Sequence, residues 1–309
     1  MKNLTVCDMH CDTLTKAFDK KKLLFSNSLN VNLKNLNQYH SYTQFFAVFI
    51  SPQYYSNPKK RCFDVINYMY NQITKNHEKI TICKNLNDIN KAINDNKLSA
   101  FLSIEGGEAI EELNDLKTFY DLGVRMLTLT WNFDNHIAGA NGSNIGLSSF
   151  GKSVINKMNE LGMIVDLSHS SIKTFFDVLE ITDKPVVLSH SNSYTICPHQ
   201  RNITDEQFKV LKQNNGCVGI NFYPDFLTNS KKAEIFDIVA HIEYFLSLGG
   251  EDNISIGSDF DGIDYIATGI KSPTDVYKIF NLLSQRGISD EVIEKIAYKN
   301  IYRIIGICL

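Results

Sequence analysis

Asp8-Met9-His10-Cys11-Asp12 follows the first apolar run of the chain, Leu4 to Val6, and sets an imidazole and a carboxylate two positions apart. On a β-strand alternate side chains share a face, so His10 and Asp12 can point together while Met9 and Cys11 point away. The same kind of ending recurs along the chain. Glu105 closes a run before Gly106-Gly107, His169 closes Leu167-Ser168-His169, His190 closes Leu188-Ser189-His190, and Asp259 and Asp261 sit in Ser258-Asp259-Phe260-Asp261-Gly262. Imidazole and carboxylate groups are the ligands of catalytic divalent-metal sites. Two neutral imidazoles, His169 and His190, suit one ion, and His10 with Asp12 suit another. Glu105 is placed to bridge them with both oxygens. The Gly106-Gly107 pair lets the backbone turn sharply beside it. Mixed nitrogen and oxygen donors fit two Zn²⁺ best, with Mn²⁺ or Co²⁺ tolerated, whereas a structural zinc more commonly takes cysteines. One such ending has a bland explanation as an incidental surface residue; five do not.

Positioning such a set requires several elements that end at one rim. Short apolar runs flanked by turn residues fall at Leu4 to Asp12, Gln44 to Ile50, Ala100 to Glu105, Val124 to Trp131, Met163 to His169, Pro185 to His190, Cys217 to Tyr223 and Ile254 to Phe260. Between most of them lie segments with helical spacing: Ile110 to Leu122, Gly151 to Leu161, Ile172 to Ile181, Asp205 to Gln213 and Ala233 to Leu248. Several of these reach Gly just before the next strand, as helix C-caps do. Alternating strands and helices of this number predict an α/β fold, a (β/α)₈ TIM barrel. The stretch Pro58 to Lys97 is too long for one crossover helix and predicts two. Two further helices, Pro273 to Arg286 and Asp290 to Ile305, are expected after the eighth strand. The expectation is therefore one domain over residues 1–309, with extra helices after strands 2 and 8. In such barrels the C-terminal rim carries the chemistry.

Composition sets the outer bounds. The chain has 309 residues, 43% hydrophobic and 21% charged, with a formal net charge of −3, which gives no general attraction to nucleic acid or acidic membrane. Seven cysteines without a Cys-x-x-Cys pair read as thiols in a reducing compartment. The start runs directly into the first motif and leaves no room for a leader, and no stretch approaches the roughly 20 apolar residues of a membrane span. A cytoplasmic protein without membrane or nucleic-acid partners is expected, and a homodimer is compatible with the sequence. Lys20-Lys21-Lys22 reads as a solvated loop, and His40, His77 and His241 lie outside the rim loops and receive no role.

Asp8-x-His10-x-Asp12, Glu105-Gly106-Gly107, Leu127-Thr128-Leu129-Thr130, Asp166-Leu167-Ser168-His169, Ser189-His190-Ser191, Gln200-Arg201-Asn202-Ile203 and Asp259-Phe260-Asp261-Gly262 together resemble, in order and over nearly the whole chain, the membrane (renal) dipeptidase family. The resemblance implies a metal-dependent amidohydrolase-type barrel with a binuclear zinc centre that hydrolyses dipeptides. It implies that His10, Asp12 and Glu105 bind one zinc, and Glu105, His169 and His190 the other. It further implies that Asp259 assists catalysis and that Arg201 holds the substrate carboxylate. One position departs: mammalian members carry a substrate-binding histidine directly after the Leu-Thr-Leu-Thr strand, and here stands Trp131. Asn132, Asn135 and His136 in the same loop are candidates for the missing donor, with Asn132 and His136 taken as substrate-binding residues. Asp261 precedes Gly262 and is read as shaping the turn.

The resulting reading is a zinc-dependent dipeptidase in which a hydroxide bridging two zinc ions attacks the amide, Asp259 carries the proton, and Arg201 grips the C-terminal carboxylate. Two alternatives remain: another amide or lactam hydrolase on the same centre, and a non-catalytic metal-binding barrel. Relatives built for deamination or phosphotriester hydrolysis commonly use His-x-His and a modified lysine, where this chain has His-x-Asp and Glu105.

Overall fold

A computed structural model describes residues 4–230 and 232–309; the start at Met1–Asn3, on which the expectation of no leader draws, lies outside them. Among the described residues nine strands alternate with helices: β1 (Thr5–Cys11), β2 (Ser41–Phe49), β3 (Ile80–Ile82), β4 (Leu98–Glu105), β5 (Val124–Thr128), β6 (Ile164–Asp166), β7 (Val187–Leu188), β8 (Cys217–Ile220) and β9 (Ile254–Ile256). Every pairing is parallel. The circuit β1–β2–β4–β5–β6–β7–β8–β9 returns to β1 and closes an eight-stranded (β/α)₈ barrel. β3 stands outside the circuit, pairing its three residues with Leu98–Ala100 of β4.

The long Pro58 to Lys97 connection does hold two helices, Pro58–Lys75 and Leu86–Asn94. The short strand β3 between them was not expected, since Ile80-Thr81-Ile82 is too brief to show a period of two. Helix starts follow local chemistry. Ser148, Ser171 and Thr204 each accept the backbone N–H three residues on, and Thr204 completes a capping box with Gln207. These caps open the helices Ser149–Leu161, Ile172–Ile181 and Asp205–Gln213.

Two apolar layers flank the barrel wall. The smaller one fills its interior, where Cys7, Met9, Phe45, Phe101, Met126, Ile164, Val187 and Cys217 come one or two from each of seven strands, and Phe45 stacks on Phe101 at 4.7 Å. The last of the extra C-terminal helices, Asn300–Cys308, adds Ile301, Ile304 and Ile305 to that layer, so the C-terminal extension caps one end of the barrel. The other end is polar and holds the chemistry-bearing residues.

Strands β5, β6 and β7 stop earlier than the apolar runs suggested. Asp166, the last residue of β6, accepts the N–H groups of Ser168 (3.0 Å) and Ser189 (2.8 Å), so backbone donors that would continue the ladder bond a carboxylate instead. Asp8 does the same for His10 and Ser258, at 3.2 and 3.0 Å. His10 and Asp12 do converge, but not as two rungs of a regular strand: the β1 register shifts between Asp8 and Cys11, and Asp12 is the N-cap of the helix Thr13–Asp19.

Candidate metal centre

Three imidazoles and three carboxylates from the ends of five strands meet at the polar rim. Glu105, at the end of β4, stands at the middle. Its Oε2 lies 3.6 Å from His10 Nε2, and its Oε1 lies 3.1 Å from His169 Nε2 and 3.5 Å from His190 Nε2. On the His10 side, Asp12 Oδ2 is 3.4 Å and Asp259 Oδ1 3.9 Å from the same Nε2. All six side chains are buried. Gly106 adopts φ +97°, the turn expected of the glycine after Glu105. Gly262 is required by space, because a Cβ there would stand 2.2 Å from Asp12 Oδ2 and 2.3 Å from Asp259 Oδ1. His169, Asp259 and Asp261 have positive φ of 66°, 61° and 70°, a conformation uncommon for residues with a side chain and concentrated here at one rim.

Hydrogen bonds fix the tautomers. His169 Nδ1 lies 2.8 Å from Asn132 Oδ1, an acceptor, so the ring proton belongs on Nδ1. His190 Nδ1 lies 2.8 Å from Ser189 Oγ, whose own hydrogen goes to Asp166 Oδ2 at 2.6 Å, so that ring also carries its proton on Nδ1. Both Nε2 atoms are then bare lone pairs. They lie 3.0 Å apart, and Glu105 Oε1 is 3.1 and 3.5 Å from them, so two lone pairs and a carboxyl oxygen crowd together with at most the one proton that burial favours on Glu105. His10 has no hydrogen-bond partner on either nitrogen among the described residues, nor has Asp12 Oδ1. Buried acceptors that converge without donors need a cation. The residues fit divalent metal ions, with His10–Glu105–His190 and His10–Asp12–Asp259 each bringing donor atoms within 4.8 Å of one another.

Burial lowers the basicity of His169 and His190, with Arg201 and His10 adding to it. At His10 burial pulls the same way, but Glu105, Asp12 and Asp259 outweigh it and lift the group to about 10. Burial raises Asp259 to about 7, with Asp12 raising it further and His10 opposing. Asn221, just past β8, donates to Asp259 Oδ2 at 3.0 Å. Asn221 was not singled out from sequence; an amide inside the apolar run Cys217 to Tyr223 was the available signal.

A cavity of about 670 Å³ opens above the cluster and is lined by Asp12, Glu105, His169, Asp259, Arg201 and Trp131, among others. Arg201 is buried, its Nη2 3.4 Å from the His190 carbonyl and its Nε without a partner among the described residues. Burial brings it down to about 10, opposed by Asp259, Glu105 and Asp166. Asn132 lines the cavity as expected, but its amide oxygen is occupied in orienting His169. His136 does not reach the cavity. Its Nε2 is 2.6 Å from the Ile110 carbonyl and its ring stacks on Phe150, so the expected substrate contact is corrected to a loop anchor. Asn135 likewise bonds the Leu129 carbonyl. Trp131 itself takes the cavity wall beside Phe49, ring centres 5.1 Å apart. Asp261 does more than shape a turn: it accepts from Thr13 Oγ1 (2.5 Å) and from the backbone N–H groups of Asn30 and Val31.

A closed parallel barrel with such a donor set at its rim defines a metal-dependent hydrolase barrel. The family model described as membrane dipeptidase (peptidase family M19) matches residues 1–308. An uncharacterized dipeptidase of Schizosaccharomyces pombe is 35% identical over 308 residues, covering 91% of this chain and 73% of that protein. Two solved structures share the fold. One is a metallo peptidase from Rhodobacter sphaeroides liganded with a phosphinate mimic of the dipeptide L-Ala-D-Ala (TM-score 0.91, 22% identity, 99% and 100% coverage). The other is dipeptidase AC, a metallo peptidase of the same family (TM-score 0.90, 23% identity, 99% of both chains). The chain belongs to the membrane dipeptidase family, peptidase family M19, a family of metallo-dipeptidases. No helix among the described residues is long and apolar enough to cross a membrane.

Proposed function

We propose that this protein is a dipeptidase that works with two divalent cations, zinc by the character of the donors. The observation that carries the proposal is the meeting of two imidazole lone pairs with one oxygen of Glu105 while its other oxygen faces His10. His10, Asp12 and Glu105 would hold one ion, and Glu105, His169 and His190 the other. When bound, such ions supply Lewis acidity to the amide carbonyl and lower the pKa of an attacking water toward about 7.

The chain's own groups do the rest. Asp259, whose carboxylate lines the cavity beside His10, can accept a proton from the attacking water and return it to the leaving amine. Arg201, buried and free of any carboxylate bond shown among the described residues, offers its guanidinium to the substrate's terminal carboxylate. Asn132 keeps His169 in its tautomer, and Ser189 with Asp166 does so for His190. Trp131 and Phe49 wall the cavity and exclude water from one side. All seven cysteines are free and buried, which supports a reducing, cytoplasmic setting.

Metal-loaded protein assayed on free dipeptides, their C-terminal amides, and non-peptide amides and lactams tests the reading. Turnover of free dipeptides is expected. Turnover confined to non-peptide amides would move the protein to the other hydrolase class, and no turnover would leave a metal-binding barrel.

A further inference from the structure

Two seams of the barrel share one construction. Across the β1–β9 seam Asp8 pairs with Ile256, and across the β6–β7 seam Asp166 pairs with Val187; each partner chain places a serine two residues on, Ser258 and Ser189. One carboxylate oxygen then accepts two backbone N–H groups, that of the residue two ahead in its own chain direction and that of the serine. The distances are 3.2 Å (His10) and 3.0 Å (Ser258) at Asp8 Oδ1, and 3.0 Å (Ser168) and 2.8 Å (Ser189) at Asp166 Oδ1. The other oxygen accepts the serine hydroxyl, at 2.5 Å from Ser258 and 2.6 Å from Ser189. Both aspartates and both serines are fully buried.

Both seams carry residues of the metal centre on either side: His10 and Asp259 at one, His169 and His190 at the other. Each also carries a residue of positive φ, Asp259 at 61° and His169 at 66°, a backbone that turns out of the ladder and persists only where its surroundings fix it. N–H groups beside such a break lose their strand partners, and a buried carboxylate that takes two of them and a hydroxyl supplies charge-assisted bonds instead. Glu105 needs no such device, because it stands in regular ladder opposite Phe49 of β2 and Thr128 of β5.

We propose that Asp8 with Ser258 and Asp166 with Ser189 are separate clamps, one for each half of the metal centre: the first positions His10 against Asp259, the second His169 against His190. Asp8 and Ser258 do not line the cavity, so they are positioning residues that act through the two backbones they join. The second clamp reaches further, because the Ser189 hydroxyl also bonds the His190 ring at 2.8 Å. That each clamp serves one ion rests on the two-cation reading.

Chelator competition with Zn²⁺ on the folded protein, which yields one dissociation constant per ion, tests this in Ser258→Ala and Ser189→Ala. Ser255→Ala is the control, since Ser255 is a buried β9 serine whose hydroxyl has no hydrogen-bond partner among the described residues. Ser258→Ala should weaken one constant about tenfold and Ser189→Ala the other about 10- to 100-fold, each leaving the remaining constant within about twofold. The control should change neither. Asp8→Asn, which keeps one oxygen for the two N–H groups, should repeat the selectivity of Ser258→Ala with a smaller loss. At saturating metal Ser258→Ala should still lose kcat on a dipeptide about tenfold with KM nearly unchanged, because Asp259 is displaced; wild-type kcat there would overturn the positioning of Asp259. A role in stability alone would lower the melting temperature and weaken both constants together. Such a joint loss, a loss of the same constant in both serine variants, or no loss in either would overturn the clamps while two ions remain bound to wild type. A wild-type protein that holds a single ion would overturn the two-cation reading, and with it the assignment of one clamp to each ion.

Discussion

His10 and His241 are both fully buried imidazoles, and they are buried in opposite ways. His241 Nδ1 accepts the N–H of Ser193 at 3.0 Å, and its Nε2 bonds the Leu227 carbonyl at 3.0 Å. Each nitrogen is used, the neutral tautomer is fixed, and burial pushes the pKa down to about 4. Among the described residues His10 has no hydrogen-bond partner on either nitrogen, and it faces Glu105, Asp12 and Asp259. A buried histidine with both nitrogens satisfied is structure. One whose nitrogen faces only carboxylates must share a proton or a metal ion with them. His169 and His190 stand between these cases, with Nδ1 satisfied by protein and Nε2 left open toward Glu105.

Substitutions on the open side should cost function and leave the fold, and those on the closed side the reverse. The largest effect is expected at Asp259→Asn, which keeps the shape but cannot carry a proton. Its kcat should fall about 10²- to 10⁴-fold with metal content retained, as read by steady-state kinetics beside metal analysis. Wild-type kcat in metal-replete variant would remove the proton-transfer role.

Arg201→Ala comes next. A charge-assisted contact is worth about 1.5–3 kcal/mol, so kcat/KM on a free dipeptide should drop about 10- to 150-fold, and much less on its C-terminal amide. An equal loss on both substrates would make Arg201 a structural residue.

Asn132→Ala tests the tautomer argument, since removing the acceptor of His169 Nδ1–H frees that ring to turn. Metal affinity should weaken about 10- to 100-fold at one of two positions, measured by competition with a chelator. A wild-type affinity at both positions would show that the Asn132 bond does not hold the ring.

The smallest effect on activity is expected at His241→Gln. The folded pKa of about 4 lies below the roughly 6.5 of a free imidazole, so between these values the unfolded chain takes up a proton that the folded one refuses. The contribution is fully present above about pH 6.5 and is lost as pH falls toward 4, amounting to up to about 3 kcal/mol. Thermal melts from pH 7 to 4 should therefore show a shallower decline in the variant than in wild type, at unchanged metal content. Parallel declines would contradict the assignment of His241 as a neutral clamp.

These contrasts also explain what could be read from sequence. The residues that converge at the rim were legible because the proposed ligands His10, Asp12, Glu105, His169 and His190, and Asp259 beside them, each stand at the end of an apolar run, and a run's end is visible without its partners. The barrel was legible because eight such runs alternate with helical spacing. The function of Asn132 was not, because a bond to His169 joins residues 37 apart in sequence and depends on two loops meeting. His136 was misplaced for a related reason. A loop histidine near a missing donor looks suitable until the Ile110 carbonyl, 26 residues away, is found to hold it. His241 gave no signal at all, since its partners Ser193 and Leu227 reach it only through the tertiary fold. The ends of β6 and β7 were overestimated because Asp166 takes over the backbone donors there, a substitution of side chain for strand that apolar patterning does not record.

Whether Glu105 joins two cation sites is read by metal counting with mass spectrometry on the folded protein, wild type against Glu105→Gln. An amide of the same shape offers one neutral oxygen in place of two charged ones. Two divalent ions per wild-type chain are expected, with loss of both, or retention of at most one weakly held ion, in Glu105→Gln. A wild-type count of one, or two ions held equally well by Glu105→Gln, would contradict it.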